Sequence, residues 1–160
     1  MVREATYADT QAILALLDEG YHRSKYKEYT LDTEVARQLI HGALQRTKVR
    51  GEGGTCVYVY ENGVVLGVMV GILDRIYHVA KELMATDLFF YVSKDCSNPR
   101  AFVGLLRAFE NWAWGNSKVK KIDLGVTDII GDPSRLGIFY KRNGYIESGL
   151  MFEKFRAESF

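Results

Sequence analysis

The chain has 160 residues, 48% of them hydrophobic and 26% charged, the balance of a globular domain with a full core and no need of metal or disulfide. Its 21 basic and 20 acidic residues nearly cancel, which argues against a nucleic-acid binder, since those carry a basic excess. No run approaches the roughly 20 apolar residues of a membrane span, and the start MVREATYADT has no signal-segment pattern, so the expected setting is the cytoplasm, away from membranes.

In chain order, Val2 to Ala5 reads as a short strand. Thr6 then resembles a helix cap, with Asp9 three residues on and Ile13, Leu16 and Leu17 at helical spacing. Asp32 to Arg46 predicts a second helix, with Val35, Leu39, Ala43 and Leu44 on its apolar face. Thr55–Tyr60 and Val64–Ile72 are β-branched and aromatic runs on either side of Asn62-Gly63. That pair favours a type I′ hairpin turn, because both positions need positive φ. Cys56 falls in the first of these strands, and Cys96 in a later polar loop. The two form no metal-ligand pattern, and no metal is expected.

Thr86 to Val92 predicts another strand, apolar after Asp87 as though buried on both faces. Asn98 then suits a helix cap with Pro99 at the first helical position. Phe102, Leu105, Leu106, Phe109, Trp112 and Ala113 keep helical spacing up to a stop at Gly115. Lys120–Val126 reads as a strand. Asp132-Pro133 opens a helix running to Asn143, Gly144 stops it, and Tyr145–Phe155 reads as a last strand. No linker divides the chain, so residues 1–160 are expected to form one domain. The fold class is α/β, with a mixed sheet and helices on both faces.

This order, together with VREATYADTQAILALL, FFYVSKDCSNPRAFVGLLRAFENWA and IFYKRNGY, resembles the GNAT superfamily of acetyl-CoA-dependent N-acetyltransferases along nearly the whole chain. The most specific match is Tyr140 four residues before Gly144-Tyr145. The resemblance implies a central sheet of about six to seven strands in which parallel strands 4 and 5 splay apart. Acetyl-CoA, as co-substrate, would lie in that gap along the edge Leu88–Ser93, its pyrophosphate at the start of the next helix. A backbone N–H near Tyr91 or Val92 would polarise the thioester carbonyl.

The family's pyrophosphate loop aligns its key positions with Ser97, Arg100 and Phe102, beside Asn98, and only Arg100-Ala101 matches a variant form. No glycine stands where the family has one, so either the Arg100 guanidinium pairs with phosphate directly or the loop has lost affinity for acetyl-CoA. The family also often has an asparagine where this chain has Pro133, and Asp132, Ser134 or Arg135 stands close enough to substitute.

Tyr140 is the candidate general acid for the departing thiolate, since a phenol is protonated at neutral pH. Glu82 and Asp87, just before and on the fourth strand, are the candidate general bases. The connection carrying Asp74, Tyr77 and His78 borders the acceptor site in this family. The expected reaction is direct acetyl transfer to a primary amine on a small molecule or protein, by a protein that resembles relatives often found as homodimers. The alternative is a non-catalytic module of the same fold that binds an acyl-CoA or a protein.

Overall fold

The computed structural model describes residues 1–125 and 133–157. The chain divides into two compact units, Met1–Gly125 and Val126–Phe160. The first holds a five-stranded sheet of β1 (Val2–Glu4), β2 (Thr55–Asn62), β3 (Val64–Arg75), β4 (Leu83–Val92) and β5 (Val119–Asp123), in that order. The first three pairings are antiparallel and β4–β5 is parallel. Helices α1 (Thr10–His22) and α2 (Thr33–Gln45) precede β2, and α3 (Arg100–Trp114) is the crossover from β4 to β5.

Period-2 alternation along β3 explains how one strand serves two cores. Val68 and Val70 join Val57, Val59 and Tyr91 in a cluster with Ile13 and Leu16 of α1 and Ile40 and Leu44 of α2. Gly67 and Gly71 point the other way, toward Leu105 and Phe109 of α3. A Cβ at Gly71 would stand 2.6 Å from the Phe109 ring, so glycine here admits the close approach of α3 rather than a special turn.

Local signals set the element ends. Asp32 caps α2, its Oδ1 accepting from the N–H groups of Glu34 and Val35, both at 3.1 Å. Thr6 and Asp9 cap a short 3-10 turn, Tyr7–Asp9, with the Thr6 N–H donating to Asp9 Oδ2 at 2.8 Å. The buried face of α2 is Ala36, Ile40, Ala43 and Leu44, so the expected stripe of Val35 and Leu39 is one residue out of phase and those two are exposed.

Two other expectations are corrected. The hairpin forms, but only Gly63 takes positive φ (76°), so the turn is not type I′. A register shift at Tyr60/Glu61 absorbs the difference. The sheet has five strands, not six to seven. In the second unit, α4 (Pro133–Arg142) forms, the expected opening residue Asp132 lying outside the described residues, but residues 145–157 hold no strand among the described residues. A strand is a pairwise element, and an apolar, β-prone run such as Leu150-Met151-Phe152 becomes one only with a ladder partner.

Candidate active site

The parallel pairing of β4 with β5 covers only Leu83–Thr86, ending where Thr86 stands opposite Asp123. Beyond it, β4 runs on through Val92 paired with β3 but with no strand on its β5 side among the described residues. The parallel pairing of strands 4 and 5 that the sequence resemblance implies is present.

The register decides which backbone groups this opening offers. The Leu83 N–H donates to Lys118 O on the β5 side, whereas the Ser93 N–H donates to Leu66 O on the β3 side. Two odd-numbered residues facing opposite sides require one change of phase between them. It lies at Leu88, the extra residue where Val70 pairs with Phe89 and Gly71 with Asp87. Past this bulge, Phe89, Tyr91 and Ser93 turn their peptides to β3, and Phe90 and Val92 turn theirs to the open edge. Among the described residues, the N–H and C=O groups of Phe90 and Val92 thus make a short strand edge with no ladder partner.

Asp87 stands at the fork. Its carboxylate accepts from the Gly125 N–H at 3.3 Å. Burial pushes its carboxyl above the ordinary range, with the N–H groups of Gly125 and of Asp87 itself opposing the shift. A carboxylate so raised is better matched to taking a proton near neutral pH than a solvated one. Glu82 lies instead in the connection before β4, exposed, with its carbonyl accepting from the Ile76 N–H. It is roughly 30 Å along the strand from Val92.

The far end of the opening is the β4–α3 loop. Ser97 and Arg100 are exposed. Asn98 bridges the loop: its Nδ2 donates to Tyr60 Oη at 2.8 Å, and its Oδ1 accepts from the Arg100 N–H at 2.9 Å. The Ala101 N–H donates to the Asn98 carbonyl at 3.2 Å. Two amides at the start of α3 are therefore already engaged within the chain. Ala101 is fully buried, and Phe102 stacks on Phe90, centroids 4.1 Å apart and planes 7° apart, so an apolar pair flanks the open edge.

The Tyr91 side chain faces away from the opening. Its hydroxyl donates to the Glu19 carboxylate of α1 and accepts from Arg23 Nη1 at 2.8 Å. Glu19 also accepts from Ser93 Oγ at 2.9 Å and the Lys94 N–H at 3.2 Å. Burial raises the Glu19 carboxyl, but these donors together with Arg23 outweigh it and hold the group below its ordinary range. Burial, then Glu19, holds the Tyr91 phenol above its own. This clasp fixes the exit of β4 against α1. Sequence reading missed it, since Glu19 lies 72 residues from Tyr91 and no local pattern links them.

Tyr140, on α4, is buried, its ring against Phe139 and Tyr145 at centroid distances of 5.8 and 5.4 Å. Asp132 lies outside the described residues, and Ser134 and Arg135 are exposed in the first turn of α4. His78 pairs with Asp74 at 3.6 Å in the β3–β4 connection. His41 contacts Thr10 Oγ1 at 3.2 Å and the Tyr7 ring. Among the described residues, no group of three His, Cys, Asp or Glu side chains could hold a metal ion, and no helix is long and apolar enough to cross a membrane. Cys56 is buried, its thiol pushed up to about 12 by burial, and is inert.

No family model matches the sequence, and no curated protein sequence does. Solved structures do match over nearly the whole chain. A possible acetyltransferase from Clostridium difficile 630 is 15% identical with a TM-score of 0.69, over 99% of this chain and 98% of that one. The aminoglycoside antibiotic 6'-N-acetyltransferase from Acinetobacter haemolyticus is 12% identical with a TM-score of 0.68, over 99% of both. A transcriptional regulator from Bacillus halodurans C-125 is 17% identical with a TM-score of 0.66, over 96% of this chain and 99% of that one. The fold is the one these three structures share.

Proposed function

We propose that this protein is an N-acetyltransferase that moves an acetyl group from acetyl-CoA directly to a primary amine, on a small molecule or a protein. The observation that carries the reading is the edge of β4 beyond Thr86, without a ladder partner among the described residues, with Phe90 and Val92 presenting backbone groups and Asp87 hydrogen-bonded to Gly125 where the pairing ends. Such an edge fits the amide-bearing arm of an acyl-CoA, which can bond to it as an added strand. Arg100, exposed at the mouth of α3 and without an ion pair among the described residues, fits its phosphates. Bound acetyl-CoA would supply the activated acyl group as a thioester.

The protein's own groups do the rest. The Val92 or Phe90 N–H is positioned to polarise the acyl carbonyl as charge develops on its oxygen. Asp87 takes the proton from the attacking amine, and Tyr140 gives one to the departing sulfur.

The test is calorimetric titration with acetyl-CoA, followed by a screen of amines for release of free CoA. Arg100→Ala should weaken acetyl-CoA at least about tenfold, the loss of a charge-assisted pair. Tyr140→Phe should leave that affinity nearly unchanged and lower turnover about a hundredfold. Equal turnover would remove Tyr140 from the mechanism, and no acetyl-CoA binding at all would remove the enzyme reading. A second reading, a non-catalytic acyl-CoA- or protein-binding module, is favoured by the Arg100 and Ala101 amides being engaged by Asn98 rather than open to phosphate.

A further inference from the structure

The starts of β2, β4 and β5 and the end of β3 lie at one end of the sheet, opposite the β4–α3 loop. There the β3–β4 connection and the turn before β5 enclose an open cleft of about 500 Å³, lined by Arg75, Lys81, Glu82, Ser117, Lys118 and Lys120. That size is within the range of small-molecule sites, about 300–1,000 Å³. Four cations face one carboxylate in a chain whose net charge is only +1. Arg75 is held in place, its Nε on Glu52 Oε2 at 2.9 Å and its Nη1 on the Ala80 carbonyl at 3.0 Å. Lys81, Lys118 and Lys120 make no ion pair among the described residues.

Lysines on an edge strand also discourage sheet-to-sheet pairing, which would account for Lys120 on β5. It does not account for Arg75 and Lys81, which come from another element and converge on the same cleft. Nor does it account for the backbone between them. Tyr77 and His78 both hold left-handed φ, 54° and 62°, a costly conformation for side chains of this size. The strained turn carries the Tyr77 ring 87% exposed to solvent, on the connection whose two ends line the cleft.

We propose that this cleft is a second ligand site, for a small molecule bearing several phosphates and an aromatic base, as a nucleoside polyphosphate does. Arg75 already holds Glu52, so Lys81, Lys118 and Lys120 are the cations left for a ligand. A single carboxylate would satisfy one of them, whereas a chain of phosphates offers a charge to each, and lysine serves phosphate as a point charge. Ser117 adds a hydroxyl donor, and the Tyr77 ring offers a face on which a base can stack. The site is separate from the acyl-CoA edge, at the opposite end of β4.

The test is calorimetric titration of the full chain with inorganic triphosphate and with ATP, using Lys118→Ala/Lys120→Ala and Arg100→Ala variants. Both substituted lysines are exposed, so the fold is retained. Both ligands should bind wild type, ATP more tightly through Tyr77, and the double variant should bind each at least about tenfold more weakly. Arg100→Ala should bind them as wild type does. Failure of wild type to bind triphosphate, or equal affinity in the double variant, overturns the proposal. Loss of triphosphate together with acetyl-CoA in Arg100→Ala would also overturn it, by placing the phosphates in the acyl-CoA site. Tighter binding of a single-stranded oligonucleotide than of ATP would overturn it in favour of nucleic acid.

Discussion

Asp87 and Glu19 are two carboxylates whose surroundings push them in opposite directions. Burial raises Asp87, so the folded state binds its proton more tightly than the unfolded chain does. Its charged form therefore costs stability, and stability falls as pH rises through the window between the ordinary and the raised value. Asp87→Asn removes that cost: melting at pH 7 should be unchanged or higher, while turnover drops about 10²–10⁴-fold and the acid limb of the pH–rate profile disappears. A variant that melts lower with full activity would mean that Asp87 is structural. Glu19 is held below its ordinary range, so the stability it contributes is full above that range and fades as pH falls through the lowered value. Glu19→Gln should cost about 1–3 kcal/mol at neutral pH, by loosening the donors of Tyr91, Ser93 and Lys94, and should show a flatter loss of stability in acid. Denaturant unfolding at several pH values measures both effects. Asp87 was legible in the sequence as a carboxylate on a strand, but the fork that desolvates it was not.

At the scale of elements, α3 shows how an apolar stripe and two missing side chains cooperate. Leu105 and Phe109 stand at helical spacing and were readable as a core face, but the flat seat they need is provided by Gly67 and Gly71 on a different element. Gly71→Ala would drive a methyl toward Phe109 and Cys56 Sγ, at 2.6 and 2.9 Å, and should destabilise the protein by about 1–3 kcal/mol. Urea unfolding would measure the loss, and a compensating Phe109→Leu should recover part of it. The β4 bulge is another element-scale device. One extra residue at Leu88 moves the outward peptides from the odd to the even positions, so Phe90 and Val92, not Tyr91, meet the opening. The family resemblance pointed to the edge Leu88–Ser93. It could not choose the phase, because a bulge depends on the partner strand.

For the whole molecule, every buried hydrophobic residue among the described ones except Tyr140 lies in Met1–Gly125. A fragment ending at Gly125 should accordingly unfold cooperatively in denaturant and still bind acetyl-CoA, yet transfer no acetyl group, having lost Tyr140. Non-cooperative melting of the fragment would show that the second unit is needed to complete the core. The sequence by itself determined the α/β class, the order of helices and strands through β5, and the position of the hairpin. Each of these follows from local propensity and periodicity, which a few adjacent residues carry. Tertiary structure alone decided that residues 145–157 form no strand, which peptides line the open edge, that Glu19 clasps the end of β4, and that Arg75, Lys81, Lys118 and Lys120 converge in a chain of balanced charge. These depend on partners tens of residues away, and the free energy of a ladder bond, a desolvated carboxylate or a cluster of cations exists only once folding has brought the partners together.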